Sequence, residues 1–295
     1  MKNKDDYATA VRRPDGVIEV KKDTYVSLAE KVKFFSLPFV RGVFSFADSM
    51  ILGMRSLSFS ASFFEDDEED ANSKLELWLD KTFGEKTEKA LMGFVMAISF
   101  LFAIVIFMIV PMLIANACRK VIHSDTLMAI LEGVIRIAVF VAYIKVISRM
   151  EDISRTFQYH GAEHKCINCI EHGARLTPEN VKNSSRYHKR CGTSFLLIVM
   201  LISIVFFLFI RVDNRILQLL LRLVLIPVIA GVSYEFIRLA GRSDHMLVNL
   251  FSKPGLLLQR IRERDPGTGM MEVGNASVEA VSDWKAYVKE IREQA

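Results

Sequence analysis

The sequence lacks the signatures of nucleotide and nucleic-acid binding. It has no Gly-rich P-loop, no dinucleotide-binding fingerprint and no basic run interleaved with aromatic residues. The formal net charge of the 295 residues is only +4, and no acidic partner is needed to explain it. We therefore expect no nucleic acid among the partners.

Charged residues are also absent from two long stretches. Although 24% of the chain is charged, residues 90–118 contain no Asp, Glu, Lys or Arg, and neither do residues 192–210. The hydrocarbon core of a bilayer is crossed by about 20 mostly apolar helical residues. A cleaved signal peptide would occupy roughly the first 15–30 residues, whereas the first apolar run begins near residue 90. The chain is therefore expected to cross a lipid bilayer several times.

The predicted fold class is an all-α polytopic integral membrane protein. The apolar runs predict four transmembrane helices, at about 90–117, 127–147, 193–210 and 216–238. Lys and Arg concentrate before the first helix, in the 148–192 loop and after the fourth helix. Because basic residues are enriched in cytoplasmic loops, we expect both termini and the 148–192 loop on the cytoplasmic side of the inner (cytoplasmic) membrane.

The flanking segments complete the predicted organisation. A short hairpin is predicted around Pro14, Asp15 and Gly16, and an apolar segment interrupted by charges, typical of interfacial or re-entrant helices, follows it. The predicted divisions are an N-terminal cytoplasmic segment (1–33), the interfacial segment (34–64), an acidic linker with an amphipathic lead-in (65–89), helices one and two (90–147), a cytoplasmic motif loop (148–192), helices three and four (193–240) and a cytoplasmic tail (241–295).

Histidines and cysteines concentrate in the motif loop. Residues 159–166 read Tyr-His-Gly-Ala-Glu-His-Lys-Cys, and the same loop continues with Cys169, His172, His188 and Cys191. On a helix, His160 and His164 lie on one face and can bind one metal ion. His-x-x-Glu-His is the inverted zinc-peptidase pattern, in which Glu163 is the candidate general base. The loop therefore predicts a zinc site.

The third ligand of such a site has three candidates, which are Glu235, His188 and Cys191. Glu235 lies near the cytoplasmic end of the fourth predicted helix, on the same side as the histidine pair. The alternative role of Glu235 is an ion pair with Arg238. Arg190 is the candidate for stabilising negative charge that develops during a reaction.

The same loop allows a closed structural site instead. Cys166, Cys169, His188 and Cys191 have the spacing of a Cys₃His zinc site. Four protein ligands leave no open coordination position on the metal, so a metal at this site would only stabilise the fold. The remaining alternative is that these side chains only pack and hydrogen-bond within a connector.

The motifs resemble those of the YqhQ-like family of membrane proteins, a domain of unknown function often labelled a predicted metal-dependent enzyme. The resemblance rests on residues 159–165 (YHGAEHK), on His188 with 190–195 (RCGTSF) and on 230–235 (AGVSYE), and it covers almost the whole chain. It implies that the family-pattern positions are His160, Glu163, His164, His188, Arg190, Cys191 and Glu235.

Three features depart from the family pattern. Lys189 stands where proline is usual, and Cys166 stands where threonine is frequent, which weakens the Cys₃His site as a shared feature. The Gly-rich opening segment of the family is missing, so we expect that this sequence begins after it, by truncation or by a late start.

Three hypotheses about function remain open. The first is a metal-dependent hydrolase of unknown substrate with a cytoplasmic-side zinc site. The second is a non-enzymatic factor for the insertion or assembly of other membrane proteins, with the motif loop as the partner-binding surface. The third is a transporter that uses Glu132 and Glu235 as intramembrane charges, although Glu132 with Arg136, one helical turn away, also fits a structural pair. Substrate, partner and oligomeric state stay open.

Overall fold

The structure is a computed structural model that describes residues 1–64, 85–189, 191–210, 212, 214–241 and 245–294. Most of the predicted acidic linker lies outside the described residues, and so does Arg190.

The N-terminal segment folds as a three-stranded antiparallel sheet in the order β1-β2-β3. Its strands are β1 (Lys2–Asn3), β2 (Asp6–Arg12) and β3 (Ile18–Thr24). Gly16 has a φ of +85° in the turn between β2 and β3, a conformation that glycine adopts without steric cost. The backbone N–H of Val17 donates to Asp15 Oδ1 at 3.0 Å in the same turn. The chain is mostly helical, and this small sheet corrects the all-α class.

Helices form most of the remaining described chain. Before residue 65 they are α1 (Leu28–Lys31), a 3₁₀ turn (Lys33–Ser36) and α2 (Val40–Ala61). After residue 84 they are α3 (Glu85–Ile104), a π-helical turn (Val105–Ile109), α4 (Val110–Ala117), a 3₁₀ turn (Cys118–Lys120), α5 (Asp125–Ile147), α6 (Glu151–Glu171), α7 (Pro178–Asn183), α8 (Gly192–Phe207), α9 (Arg215–Ala240), α10 (Met246–Arg262), α11 (Thr268–Val281) and α12 (Trp284–Gln294).

Three helical stretches are long and apolar enough to cross a membrane: Gly93–Lys120, Asp125–Ile147 and Ile216–Ala240. They confirm three of the four predicted spans in length and composition. Helix α8 corresponds to the remaining predicted span, 193–210, but its 16 residues extend only about 24 Å at 1.5 Å per residue. A fourth crossing therefore stays a prediction.

Local sequence sets the boundaries of these helices. The Ser124 side chain accepts from the backbone N–H of Leu127 at the start of α5. Asn214 accepts from the first two backbone N–H groups of α9 after Arg215. Pro111 lacks an N–H group, and the π-helical turn directly before α4 accommodates the lost helical hydrogen bond.

Helix α2 packs against α9 through small residues and one ion pair. A Cβ atom on Gly231 would lie 2.2 Å from the carbonyl oxygen of Phe39, so only glycine permits this approach. Arg41 donates from Nε and Nη2 to the two oxygens of Glu235, at 2.6 and 2.5 Å. The face of α2 that does not meet α9 leaves large apolar side chains exposed, among them Phe46, Met50, Met54 and Leu57.

The predicted motif loop is mostly helical and belongs to a sheet-helix body, which comprises β1–β3, α6, α7, α11 and α12. Its core contains Ala162, Cys166, Cys169, Val181, Met271 and Val278. The sheet is tied to α11 by Arg12, which donates to the carbonyl of Gly269 at 3.1 Å and pairs with Glu272 at 2.5 Å. A second core joins α5, α8 and α10 through Phe140, Ile144, Leu197 and Leu258.

Gly42→Ala is expected to loosen α2 from α9. The added Cβ would lie 2.6 Å from Cβ of Tyr234 and 3.0 Å from Cα of Gly231. Overpacking of this kind costs about 1–3 kcal/mol. Thermal denaturation of the purified protein in detergent should show a lower midpoint. Gly53→Ala is the matched control in the same helix, because nothing lies within 4 Å of its added Cβ. Equal midpoints for the two variants would contradict the proposed packing.

Candidate functional site

Helix α6 carries the histidine pair predicted from the motif. Glu151 and Asp152 lie in its first turn, where negative charge favours a helix start. Gly173, with a φ of +71°, follows its last residues in the conformation usual after a helix C-terminus. Within the helix the ring centroids of His160 and His164 lie 4.3 Å apart, so both imidazoles face the same region.

His160 lies between a thiol and a carboxylate. Its Nε2 atom is 3.2 Å from Sγ of Cys191, the residue that precedes α8. Its Nδ1 atom is 3.4 Å from Oε2 of Glu163, three residues further along α6. Histidines that bind metals usually place their second ring nitrogen against a carboxylate or carbonyl, which fixes the ring orientation. Glu163 is placed to orient His160 in this way.

His164 has a corresponding environment deeper in the protein. Its Nδ1 atom is 2.8 Å from the carbonyl oxygen of Arg186 and 3.5 Å from Oε1 of Glu263. Glu263 directly follows α10, and its Oε1 accepts from Nη2 of Arg262 at 2.5 Å. The other oxygen of Glu263, Oε2, is buried without a hydrogen-bond partner. A buried carboxylate oxygen without a partner is costly, and a cation would satisfy it.

Four side chains therefore converge on one point. One possible ligand atom from each of His160, His164, Cys191 and Glu263 lies within 4.8 Å of the others. His164, Cys191 and Glu263 are 4%, 3% and 3% exposed, whereas His160 is partly accessible. Imidazole nitrogen, thiolate sulfur and carboxylate oxygen are the ligands that zinc takes in proteins. This group of four residues is named the His-Cys-Glu cluster below.

The cluster stabilises charged forms of its members. Burial alone would raise the pKa of the Cys191 thiol, but hydrogen bonds with His160 and His164 lower it to about 4. Burial would lower the pKa of His164, but hydrogen bonds with Cys191 and Glu263 raise it to about 10. A thiolate is the form of cysteine that binds metals. The two histidines therefore hold Cys191 as a thiolate, the form in which it can bind a metal.

Glu163 is also held in its charged form. Burial would raise its pKa, but the hydrogen bond with His160 lowers it to about 2. A carboxylate of this kind is a stable partner for an imidazole N–H group.

The other residues predicted for the site lie elsewhere or cannot be placed. Glu235 is not in the cluster, because both of its oxygens are engaged by Arg41 of α2. The structure therefore places Glu235 on Arg41, and the ion pair that Glu235 forms is with Arg41 rather than with Arg238. Nε2 of His188 lies 2.9 Å from Oε2 of Glu171, which likewise keeps His188 out of the cluster. Arg190 lies outside the described residues.

The Cys₃His alternative does not form either. Cys166 and Cys169 point into the core of the sheet-helix body and are fully buried. Cys166 Sγ donates to Oδ1 of Asn275 at 3.1 Å, and Cys169 Sγ donates to the carbonyl of Arg175 at 3.3 Å. Burial raises the pKa of the Cys166 thiol to about 12, so it stays protonated. These two cysteines are core residues.

Glu263 is the member of the cluster that the sequence did not predict. It lies about 100 residues after the histidine pair, so no motif spacing connects it to them. The only sequence signal was the position of a carboxylate at the end of the amphipathic, basic segment that forms α10.

The fold and the cluster together define a membrane protein with a buried His-Cys-Glu group that can hold a metal ion. The family described as "Protein of unknown function (DUF1385)" matches residues 37–284, so the chain belongs to that family. It is also similar to the "Uncharacterized protein YqhQ" of Bacillus subtilis (strain 168), at 32% identity over 274 residues, 90% of this chain and 84% of the relative. No solved structure matches. The predicted resemblance is thereby confirmed.

In metal-free protein, the Cys191 thiolate is expected to persist down to an unusually low pH. Because its pKa is lowered to about 4, the ultraviolet absorbance of the thiolate should fall only as the pH drops through that value. Cys191→Ser should abolish this transition, and Cys118→Ser, which alters a cysteine outside the cluster, should retain it. Circular dichroism recorded in parallel separates titration from acid unfolding. A transition near the ordinary cysteine value of about 8.5 that disappears in Cys191→Ser would contradict the charged pair.

Proposed function

We propose that this protein is a zinc-binding membrane protein whose metal ligands are His160, His164 and Cys191, with Glu263 beside them, and that it acts as a metal-dependent hydrolase. The observation that carries the proposal is that one possible ligand atom from each of these four residues lies within 4.8 Å of the others. The substrate class is left open by this cluster alone.

The donor set fits zinc better than a hard cation. Thiolate and imidazole ligands suit zinc, whereas calcium and magnesium take oxygen ligands. Three of the four donors are nitrogen or sulfur atoms. When bound by three protein ligands, zinc supplies Lewis acidity and lowers the pKa of water in its open position. With Glu263 as a fourth ligand the site would instead be closed and structural, so the role of Glu263 decides between the two.

The chain offers two carboxylates for the general base of a hydrolase. Glu163, the candidate from the motif, lies against Nδ1 of His160, which faces away from Cys191. Glu263 is itself a member of the cluster, and its Oε2 atom has no hydrogen-bond partner. We therefore propose that Glu163 positions His160 and that Glu263 is the proton acceptor.

A factor for membrane-protein assembly is the second candidate, and helix α2 favours it. This helix lies outside the three long apolar stretches, yet it exposes a row of large apolar side chains. Such a surface suits a lipid interface or a hydrophobic partner. In this case the metal would stabilise the sheet-helix body and would carry out no chemistry.

Four membrane crossings are part of the proposal, with both termini and α6 on the cytoplasmic side. The N-terminal sheet, α6 and the C-terminal helices pack together: Arg12 pairs with Glu272, and Nε of Arg292 donates to the carbonyl of Gly173 at 2.7 Å. An even number of crossings must therefore separate α6 from α11. With α9 as one of them, we propose the apolar helix α8 as the other, because α10 is amphipathic and basic.

Metal analysis tests the centre. Protein purified in mild detergent without chelators should contain zinc close to one ion per chain, measured by elemental mass spectrometry. His164→Ala and Cys191→Ser should remove it, because each deletes a ligand atom. The matched controls His172→Ala and Cys118→Ser should retain it, since neither residue belongs to the cluster. Glu163→Gln should weaken zinc affinity by about 10–100-fold, as expected for a residue that orients a ligand. A folded wild-type protein without bound metal would overturn the proposal.

Cobalt substitution separates the catalytic from the structural centre. Glu263→Gln should keep cobalt bound if Glu263 is the proton acceptor and should lose it if Glu263 is a ligand. In the wild-type protein, an open coordination position predicts a visible spectrum that changes with pH near neutrality. A spectrum that is constant with pH, together with metal loss in Glu263→Gln, would exclude the hydrolase and favour the assembly factor.

Reporter fusions test the crossing of α8. Alkaline phosphatase, which is active only outside the cytoplasm, should be inactive when fused after Asn183 and active when fused after residue 212. It should be inactive again at the C-terminus. Equal activity at the first two positions would show that α8 does not cross the membrane, and the proposed topology would be wrong.

A further inference from the structure

The membrane helices enclose a second polar region, at the end of the bundle opposite to the His-Cys-Glu cluster. A cavity of about 260 Å³ lies between α4, α5, α8 and α9. Asn116, Arg119 and Gln218 lie near the helix ends around it, while Glu132, Phe207 and Arg222 also line it. Glu132 and Arg222 each lie seven residues inside their helices, which corresponds to a depth of about 10 Å.

The innermost part of this cavity carries two guanidinium groups for one carboxylate. Glu132 accepts from Arg222 at 2.5 and 2.8 Å and from Arg136 at 2.7 Å. Both guanidinium groups lie over the ring of Phe207, 4.9 Å from its centroid. Glu132, Arg136 and Arg222 are 7%, 5% and 2% exposed. The buried group therefore carries one positive charge in excess.

The rest of the cavity does not compensate this charge. Asp125 is the only other acidic residue among the described residues that line it, and its Oδ1 accepts from Arg119 at 2.9 Å. These two charges cancel. Nε of Arg222 is buried without a hydrogen-bond acceptor. Gln218 lies one helical turn before Arg222, so its amide group faces the same region.

An unbalanced buried charge is unfavourable, and an arginine side chain does not lose its charge in proteins. Within a membrane, such residues are rare and mark binding sites or pathways. The positive charge of Arg222 and the amide donors of Asn116 and Gln218, all in residues that line the cavity, suit an acceptor with negative charge. A water molecule takes about 30 Å³ of liquid volume, so the cavity has room for a polyatomic ion.

We propose that this cavity binds a singly charged oxyanion group, a carboxylate or a phosphodiester, whose charge balances Arg222. The group belongs either to a small soluble anion or to the headgroup of an anionic lipid. The site is independent of the metal centre and opens at the other end of the membrane helices.

Thermal denaturation in a neutral detergent at low chloride concentration tests the proposal. The two probes are sodium acetate and phosphatidylglycerol, and at least one of them should raise the midpoint of the wild-type protein by about 2–4 °C. A response to acetate identifies a soluble anion as sufficient, whereas a response to phosphatidylglycerol alone identifies the lipid as the source.

Two variants should lose this response. Arg222→Gln removes the excess positive charge, and Gln218→Glu supplies a negative charge within the cavity. Lys145→Gln is the matched control, because it changes the net charge by the same amount at an exposed position near the other end of α5. Gln218→Glu leaves the ion pairs of Glu132 intact, so it stays informative if Arg222→Gln does not fold. The proposal is overturned if neither probe stabilises the wild type, or if Gln218→Glu responds as the wild type does.

Discussion

A charge removed from water needs a partner of opposite charge, and this constraint organises the protein. Inside the bundle it brings Arg136 of α5 and Arg222 of α9 onto Glu132 of α5. At the junction of α2 and α9 it brings Arg41 onto Glu235. Arg222 with Glu132 links α9 to α5, and Arg41 with Glu235 links α2 to α9, so these two ion pairs help to fix the positions of the helices relative to each other. Non-directional apolar packing between helices does not specify these positions alone.

The same constraint singles out two sites at which the pairing is incomplete. At one end of the bundle a carboxylate oxygen of Glu263 has no donor, beside a cysteine whose lowered pKa favours the thiolate. At the other end an N–H group of Arg222 has no acceptor, in a group with one positive charge in excess. The unpaired carboxylate oxygen of Glu263 favours a bound cation, and the excess positive charge at Arg222 favours a bound anion. Elsewhere the buried charges described above are balanced, which is why these two sites are the candidates for ligands.

Sequence reasoning succeeded where the signal is local. Three helices of membrane-spanning length follow from apolar runs, and the placement of His160 and His164 on one face follows from their spacing on a helix. It failed where the partner comes from far along the chain. Glu235 pairs with a residue 194 positions away, which the pattern around Arg238 could not predict. Cys166 and Cys169 have the spacing of zinc ligands, but the packing of α11 against α6 covers them. The spacing of residues shows which sites a segment could form, and the packing of distant segments determines which of these sites exists in the folded protein.

Helix α10 brings the most distant member into the cluster, and it does so through its contact with α8. Gly255 lies against Ser194, with an added Cβ only 2.8 Å from Cβ of Ser194, so the two helices pack closely there. One turn further on, Gln259 is fully buried and bonds both the backbone N–H and the carbonyl of His188. These contacts fix the end of α10 and therefore the position of Glu263 beside Cys191. A metal ion bound by His164 and Cys191 would join α6 to the start of α8, with Glu263 beside it at the end of α10. Because binding energy at such a site also stabilises the fold, loss of the metal would loosen the sheet-helix body from the membrane helices.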